Sequence, residues 1–120
     1  MKPIVWIGSN KKDLLSFPED AIRNVGHALW LAQEGDLPPC AKPLRGFGGA
    51  SVLEIIENND GETYRAVYTV RFSDAVYVLH CFQKKSKSGI ATPKVDVELI
   101  KSRLKTAEDE SKKWNAKKKT

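Results

Sequence analysis

Residues 51–83 read SVLEIIENNDGETYRAVYTVRFSDAVYVLHCFQ, and the fold turns on how this stretch pairs with itself. Three runs within it, Ser51–Glu57, Thr63–Phe72 and Val76–Gln83, are rich in β-branched and aromatic residues, which suit a pleated, half-buried surface. Asn58-Asn59-Asp60-Gly61 divides the first two runs. Asp-Gly is a favoured two-residue hairpin turn because both of its positions tolerate positive φ. Ser73-Asp74 divides the second and third. The segment therefore predicts an antiparallel meander. A turn at Asp60-Gly61 sets Glu54 opposite Val67 and Ile56 opposite Arg65. A second two-residue turn at Ser73-Asp74 sets Phe72 opposite Ala75. Residues directly opposite share a face, and a slip of one residue would exchange the faces. One face then holds Leu53, Ile55, Ala66, Tyr68, Val70, Phe72, Tyr77, Leu79 and Cys81, an apolar set expected to pack on helices. The other, expected to be open, holds Glu54, Ile56, Arg65, Arg71, Val76, Val78, His80, Phe82 and, just past the strand, Lys84.

Working outward toward the N-terminus, Ile4–Ile7 reads as a strand ended by Gly8-Ser9-Asn10, and Lys11–Leu15 as a short helical turn. Ser16 and Glu19 have capping-box spacing, and Pro18 suits a first helical turn. Ile22, Val25, Leu29 and Ala32 then recur every three or four residues as one apolar stripe, and Gly35 provides a stop. Asp36–Pro43, with three prolines, is expected to be a loop. Toward the C-terminus, residues 84–91 read as a basic, polar loop. Thr92-Pro93 opens a second long helix, with Asp96 and Glu98 in its first turn to suit the helix dipole. Val97, Ile100, Leu104 and Ala107 mark its buried side. Beyond about Glu108 the residues are polar, and Trp114 is placed to pin the extension. The order β-α-β-β-β-α predicts an α+β two-layer sandwich, a twisted antiparallel sheet with helices on one face and a long C-terminal helix. The expected organisation is a single domain over 1–114 and a basic disordered tail over 115–120.

Charge is distributed unevenly. Residues 1–83 carry 8 basic and 10 acidic side chains, whereas residues 84–120 carry 12 basic and 5 acidic, so the net charge of +5 resides in the C-terminal third. A local positive field of this kind suits a polyanion such as nucleic acid, or an acidic protein partner. No apolar run is long enough to span a membrane, and Met1–Ile7 lacks the pattern of a signal peptide, so a cytoplasmic location is expected. Cys40 and Cys81 form neither a metal spacing nor a C-x-x-C pair and read as two small buried hydrophobes. Gly46-Phe47-Gly48-Gly49 lacks the spacing of a phosphate-binding loop. No zinc, calcium or P-loop signature is present, and no cofactor is expected.

Three motifs carry a resemblance. Tyr64-Arg65-Ala66-Val67-Tyr68 resembles the Y-R-x-x-Y core strand of the RelE/ParE toxin superfamily. Lys42-Pro43-Leu44-Arg45-Gly46 resembles its K-x-L-R-G approach to the sheet. Phe82-Gln83-Lys84-Lys85-Ser86-Lys87, followed by Thr92-Pro93-Lys94 and a helix, resembles the HigB-like branch, which includes phage-derived members. The resemblance runs from about Pro3 to Ala107. It implies a small α+β toxin, inhibited by a neighbouring antitoxin that is expected to be a helix-turn-helix protein. It also implies ribosome-dependent mRNA cleavage in which the RNA 2′-hydroxyl attacks the adjacent phosphate and no metal is required. Arg65 matches the arginine that contacts the reacting phosphate, and Lys84 the basic residue that ends the last strand. Arg45 matches an arginine whose role is more often structural.

The residues themselves support a site on the same face. A guanidinium fork suits a phosphate that is gaining charge, although Arg65 equally suits an ion pair with Glu54. His80 is a candidate acid or base, because an imidazole can both donate and accept a proton, with Glu54 as its partner. Lys85, Lys87, Phe82, Arg71 and Arg45 are candidate RNA contacts, with Phe82 available for base stacking. His27 lies on the first long helix and reads as structural. Two departures from the family stand out: relatives often carry a basic residue where this chain has Ile56, and no tyrosine follows Tyr77 to supply the C-terminal catalytic tyrosine. Three readings therefore remain open: an mRNA endoribonuclease, a gyrase-poisoning ParE-like toxin, or a non-catalytic RNA- or protein-binding module.

Overall fold

A computed structural model of the chain describes residues 1–84 and 92–118. Asp60 and Gly61 have φ of 50° and 79°, the positive pair that a tight hairpin of this twist requires. This turn joins β3 (Val52–Asn59) to β4 (Glu62–Thr69), and their ladder sets Glu54 opposite Val67 and Ile56 opposite Arg65, as the sequence predicts. β5 (Val76–Lys84) pairs antiparallel with β4. β1 (Ile4–Trp6) adds to β5 in parallel, and β2 (Ala41–Pro43) adds antiparallel to β3. The result is a five-stranded mixed sheet in the order β1-β5-β4-β3-β2. The expected loop over Asp36–Pro43 thus ends in a short edge strand, where Pro43 is tolerated because an edge leaves one side of the ladder unpaired.

The helices are α1 (Asn10–Leu15), α2 (Glu19–Gln33) and α3 (Lys94–Lys118). The α+β class and the long C-terminal helix stand as expected, but the parallel pairing of β1 makes the expected antiparallel sheet a mixed one, and the arrangement of helices differs from a two-layer sandwich. α1 and α2 bury Leu14, Ala21, Val25, Ala28, Leu29 and Ala32 against Leu53, Ile55, Ala66, Tyr68, Val76, Val78 and Cys81. α3 lies on the opposite face, where Ile100 and Ala107 pack with Val52, Val67, Tyr77 and Leu79. The reason is a β-bulge. Arg65 opposes Phe82 and Val67 opposes His80, as a two-residue turn at Ser73-Asp74 would give, but Tyr68 then opposes Val78 instead of Leu79. The extra residue reverses the pleat before it. Val76 and Val78 therefore face α2, while Tyr77 and Leu79 turn toward α3. β4 stops at Thr69, so the connection to β5 is longer than two residues.

Other local readings change for simple reasons. Ser16 caps the end of α1, its hydroxyl bonded to the Asp13 carbonyl at 2.6 Å, and Pro18 is the N-cap of α2, without a side-chain hydrogen bond. Cys81 is buried but Cys40 is exposed in the segment before β2. α3 continues through the polar stretch beyond Glu108, where buried Ser111 donates to Asp74 at 2.6 Å.

Asn10, fully buried at the start of α1, closes the bulge. Its Nδ2 donates to the Ile7 carbonyl and, at 2.8 Å, to the Val78 carbonyl. Its Oδ1 accepts from the Cys81 backbone N–H at 3.2 Å and from Arg103 Nη1 at 2.9 Å. Arg103 in turn donates to the Leu79 carbonyl at 3.0 Å. The guanidinium passes so close to Gly8 that a Cβ there would lie 3.1 Å from it, and Gly8 also has a φ of 67°. Asn10→Ala should lower unfolding free energy by about 2–4 kcal/mol, because several buried polar groups lose a partner together. Urea denaturation should show a lower midpoint at an unchanged slope.

Candidate functional site

Past the bulge, the α3 face of the sheet becomes polar. Arg65 on β4, Glu54 on β3, and His80, Phe82 and Lys84 on β5 point to that side, and the sequence-derived grouping of these five holds. The expectation that this face is open does not hold, because Thr92 and the start of α3 lie across it. Arg65 is 3% exposed, and Glu54, His80 and Lys84 are buried as well. A guanidinium this deep requires a partner. Arg65 Nη1 donates to Glu54 Oε2 at 3.0 Å and to Thr92 Oγ1 at 3.3 Å, and Thr92 Oγ1 donates to the same Glu54 oxygen at 2.9 Å. These three groups form a closed triangle.

His80 is held between two helix side chains. Its Nε2 lies 2.8 Å from Asp96 Oδ1, and its Nδ1 lies 3.3 Å from Arg103 Nη1. A carboxylate oxygen accepts, so the Nε2 proton is directed at Asp96, while Nδ1 faces a guanidinium nitrogen whose two hydrogens also serve Asn10 and the Leu79 carbonyl. The imidazole also stacks on Phe82, with centroids 4.4 Å apart and planes 14° from parallel, so one face of that phenyl ring is taken. Lys84 ends β5 beside this group. Its pKa is lowered from the ordinary lysine value, chiefly by burial and then by the nearby positive charge of Arg65, against which Glu54 acts in the opposite direction.

Not every candidate joins the cluster. Arg71 lies beyond the end of β4, where Nε donates to Ser51 Oγ and Nη2 to the Phe47 carbonyl, both at 3.1 Å, and it tethers the segment before β3. The reason is again the early end of β4, which removes Arg71 from the ladder that carries Arg65. Arg45 is exposed in the same region, next to Leu44, whose N–H bonds the Val52 carbonyl. That rung is four positions from Ile56 and Arg65 along β3. Lys85 and Lys87, with the expected loop that holds them, lie outside the described residues. His27 is exposed on α2 and stacks on Trp30. Ile56 stands half-buried opposite Arg65.

Thr92, Asp96, Arg103 and Asn10 were not singled out by sequence reasoning as site residues. Thr92 and Asp96 satisfy helix-start preferences, which explained them without a tertiary role. The stripe of α3 offered a signal: 96, 100, 103, 107 and 111 follow one another at helical spacing, so polar Asp96 and Arg103 share the side of Ile100 and Ala107. Asn10 offered none, since an asparagine after Gly-Ser reads first as a turn residue. Among the described residues, no group of three or more His, Cys, Asp or Glu side chains is placed to hold a metal ion. Among them too, no helix is long and apolar enough to cross a membrane.

A small α+β domain that gathers Arg, Lys, Glu and His on one sheet face beneath its C-terminal helix defines a class in which strand residues, and not a loop motif, form the polar centre. Residues 12–105 match the model of the family described as Phage derived protein Gp49-like (DUF891), and the chain belongs to that family. The family lies in the RelE/HigB-type toxin group, its members are commonly toxin-like, and a toxin of this kind implies an antitoxin partner. No curated protein matches the chain.

The buried charges make stability a direct test of this geometry. Glu54→Ala leaves the Arg65 guanidinium buried beside a lost carboxylate and should cost about 3–5 kcal/mol in urea denaturation, whereas Glu54→Gln, which keeps an acceptor oxygen, should cost less. Lys84→Met removes the titration of this lysine, so the melting temperature of the wild type relative to the variant should rise with pH on the approach to 10.5, the ordinary lysine value. Above its lowered pKa the native state sheds the lysine proton before the unfolded chain does, so wild-type stability climbs relative to the variant across that interval.

Proposed function

We propose that the chain is the toxin of a toxin–antitoxin pair, close to the HigB-like branch, and that it cleaves mRNA on the ribosome in the cytoplasm. The observation that carries this reading is the convergence of Arg65, Lys84, Glu54 and His80 at one end of the α3 face. In the reaction, the RNA 2′-oxygen forms a bond to the adjacent phosphorus and the P–O5′ bond breaks. The products are a 2′,3′-cyclic phosphate and a free 5′-hydroxyl, and no metal is needed for this balance. The Arg65 fork would hold the non-bridging oxygens as their charge grows. Glu54 would accept the 2′-hydroxyl proton, and Lys84, its pKa lowered, would release one to the leaving 5′-oxygen. His80, with both ring nitrogens engaged, would position the cluster and Phe82. Lys85 and Lys87 would hold flanking phosphates.

A second reading follows from Ile56 and from the lack of a tyrosine after Tyr77: a ParE-like toxin that binds gyrase and needs no acid or base, or a non-catalytic binding module. Arg65→Lys separates these alternatives without stranding Glu54, because it keeps a buried cation and loses only the planar fork. It should reduce mRNA cleavage by about 10²–10³-fold, the loss typical of one charge-stabilising contact. Replacing Lys84, Lys85 and Lys87 together with glutamine should abolish cleavage, and the wild-type reaction should survive EDTA under conditions that keep the ribosome intact. The assay is primer extension on a translated message beside a supercoiling reaction. Intact transcripts with inhibited gyrase would replace the ribonuclease reading with the ParE-like one, and inactivity in both would favour the binding module.

A further inference from the structure

We propose that Thr92 and the first turn of α3 form a removable cover over Arg65, and that an RNA phosphodiester takes the place on the guanidinium that Thr92 holds in the structure. This inference rests on the reading of the face as the phosphate site. Two polar clasps hold the cover: Thr92 on Arg65 and Glu54, at 3.3 and 2.9 Å, and Asp96 on His80 at 2.8 Å. The apolar anchors of the helix begin only later. Val95 is 75% exposed and Leu99 37%, Val97 is half-buried, and the first fully buried side chain is Ile100, followed by Ala107. Arg103 and Ser111 fasten the same later part to Asn10 and Asp74.

The energetic consequence is local. A hydrogen bond contributes little net stability because water replaces it on opening, whereas each buried apolar side chain resists exposure more strongly. The first turn can therefore open while the helix stays docked from Ile100 onward, as low-stability segments of native proteins do. Charge couples this opening to the ligand. A phosphodiester on Arg65 displaces the Thr92 hydroxyl and brings a negative charge beside Glu54, with Asp96 one helical turn beyond Thr92 on the cover. The bound anion and the closed clasp therefore exclude each other, and the arginine, 3% exposed in the closed form, becomes reachable only in the open one.

Hydrogen exchange read by mass spectrometry on the full chain tests this. The amides of Asp96 and Val97, both bonded to the Pro93 carbonyl at 3.0 Å, report the first turn. The double variant Thr92→Val, Asp96→Asn should exchange there about tenfold faster, the factor carried by one net hydrogen bond, with residues 100–111 and the sheet unchanged. Thr92→Ser, which keeps the hydroxyl, should exchange as wild type does. Adding a single-stranded oligoribonucleotide made uncleavable by a 2′-deoxy residue should speed exchange of the same amides in the wild-type chain. Unchanged exchange in the double variant, or protection of the first turn by the oligonucleotide, would overturn the cover. Faster exchange on both counts from a protein that cuts no transcript would keep the cover and remove the ribonuclease.

Discussion

The architecture depends on one backbone irregularity, the extra residue of β5 between Val78 and His80. Without it, Tyr77 and Leu79 would face α2, and α3 would have no apolar seat next to the polar end of the sheet. With it, a single strand presents apolar side chains to α3 at one end and His80, Phe82 and Lys84 at the other. A bulge leaves backbone groups out of the ladder, and these must bond elsewhere if buried. Asn10 and Arg103 meet that requirement, accepting from Cys81 and donating to Val78 and Leu79. The same two side chains fix α1 and α3 to the strand, and Arg103 reaches Nδ1 of His80. The position of the candidate site is thus set by how the bulge is satisfied.

Burial gives the charges at the site a double character. An exposed arginine and glutamate at 3.0 Å would contribute little, but at this depth neither is tolerable alone. The pair therefore constrains the register of β3 on β4 as firmly as it prepares a cation for an anion. Lys84 lies near enough to the guanidinium for its charge to be felt, and Glu54 acts against that repulsion. Two cations held near one another on one sheet face are a physical reason for a nucleic-acid reading that does not depend on the lysines farther along the chain.

Much of the molecule was legible in the sequence, and the exceptions share a cause. Asp60-Gly61 fixed the β3–β4 register because that turn has few alternatives, and the stripe of Val25, Leu29 and Ala32 identified α2. Glu54, Arg65, His80, Phe82 and Lys84 fell on one face as read. The two valines and the tyrosine at 76–78 did not, since a bulge is a tertiary solution with no compositional mark, and Ser73-Asp74 resembled a tight turn. The placement of α3 on the second face was hidden for the same reason: with Tyr77 and Leu79 assigned to α2, no apolar surface remained for it. Arg71 lost its place with the end of β4, and β2 was masked by prolines that an edge strand accepts.

The chain order of these parts has a consequence for synthesis. A ribosome releases a chain N-terminus first, and segments that have emerged begin to fold while later ones are still being made. Everything needed to assemble the α2 core and the β3–β4–β5 meander precedes Lys84, whereas α3 follows it. The strands that carry the buried charges are consequently synthesised before Asp96 and the rest of α3, which lie across them. Arg65 and Lys84 thus depend for their cover on an element that leaves the ribosome after every described strand of the sheet.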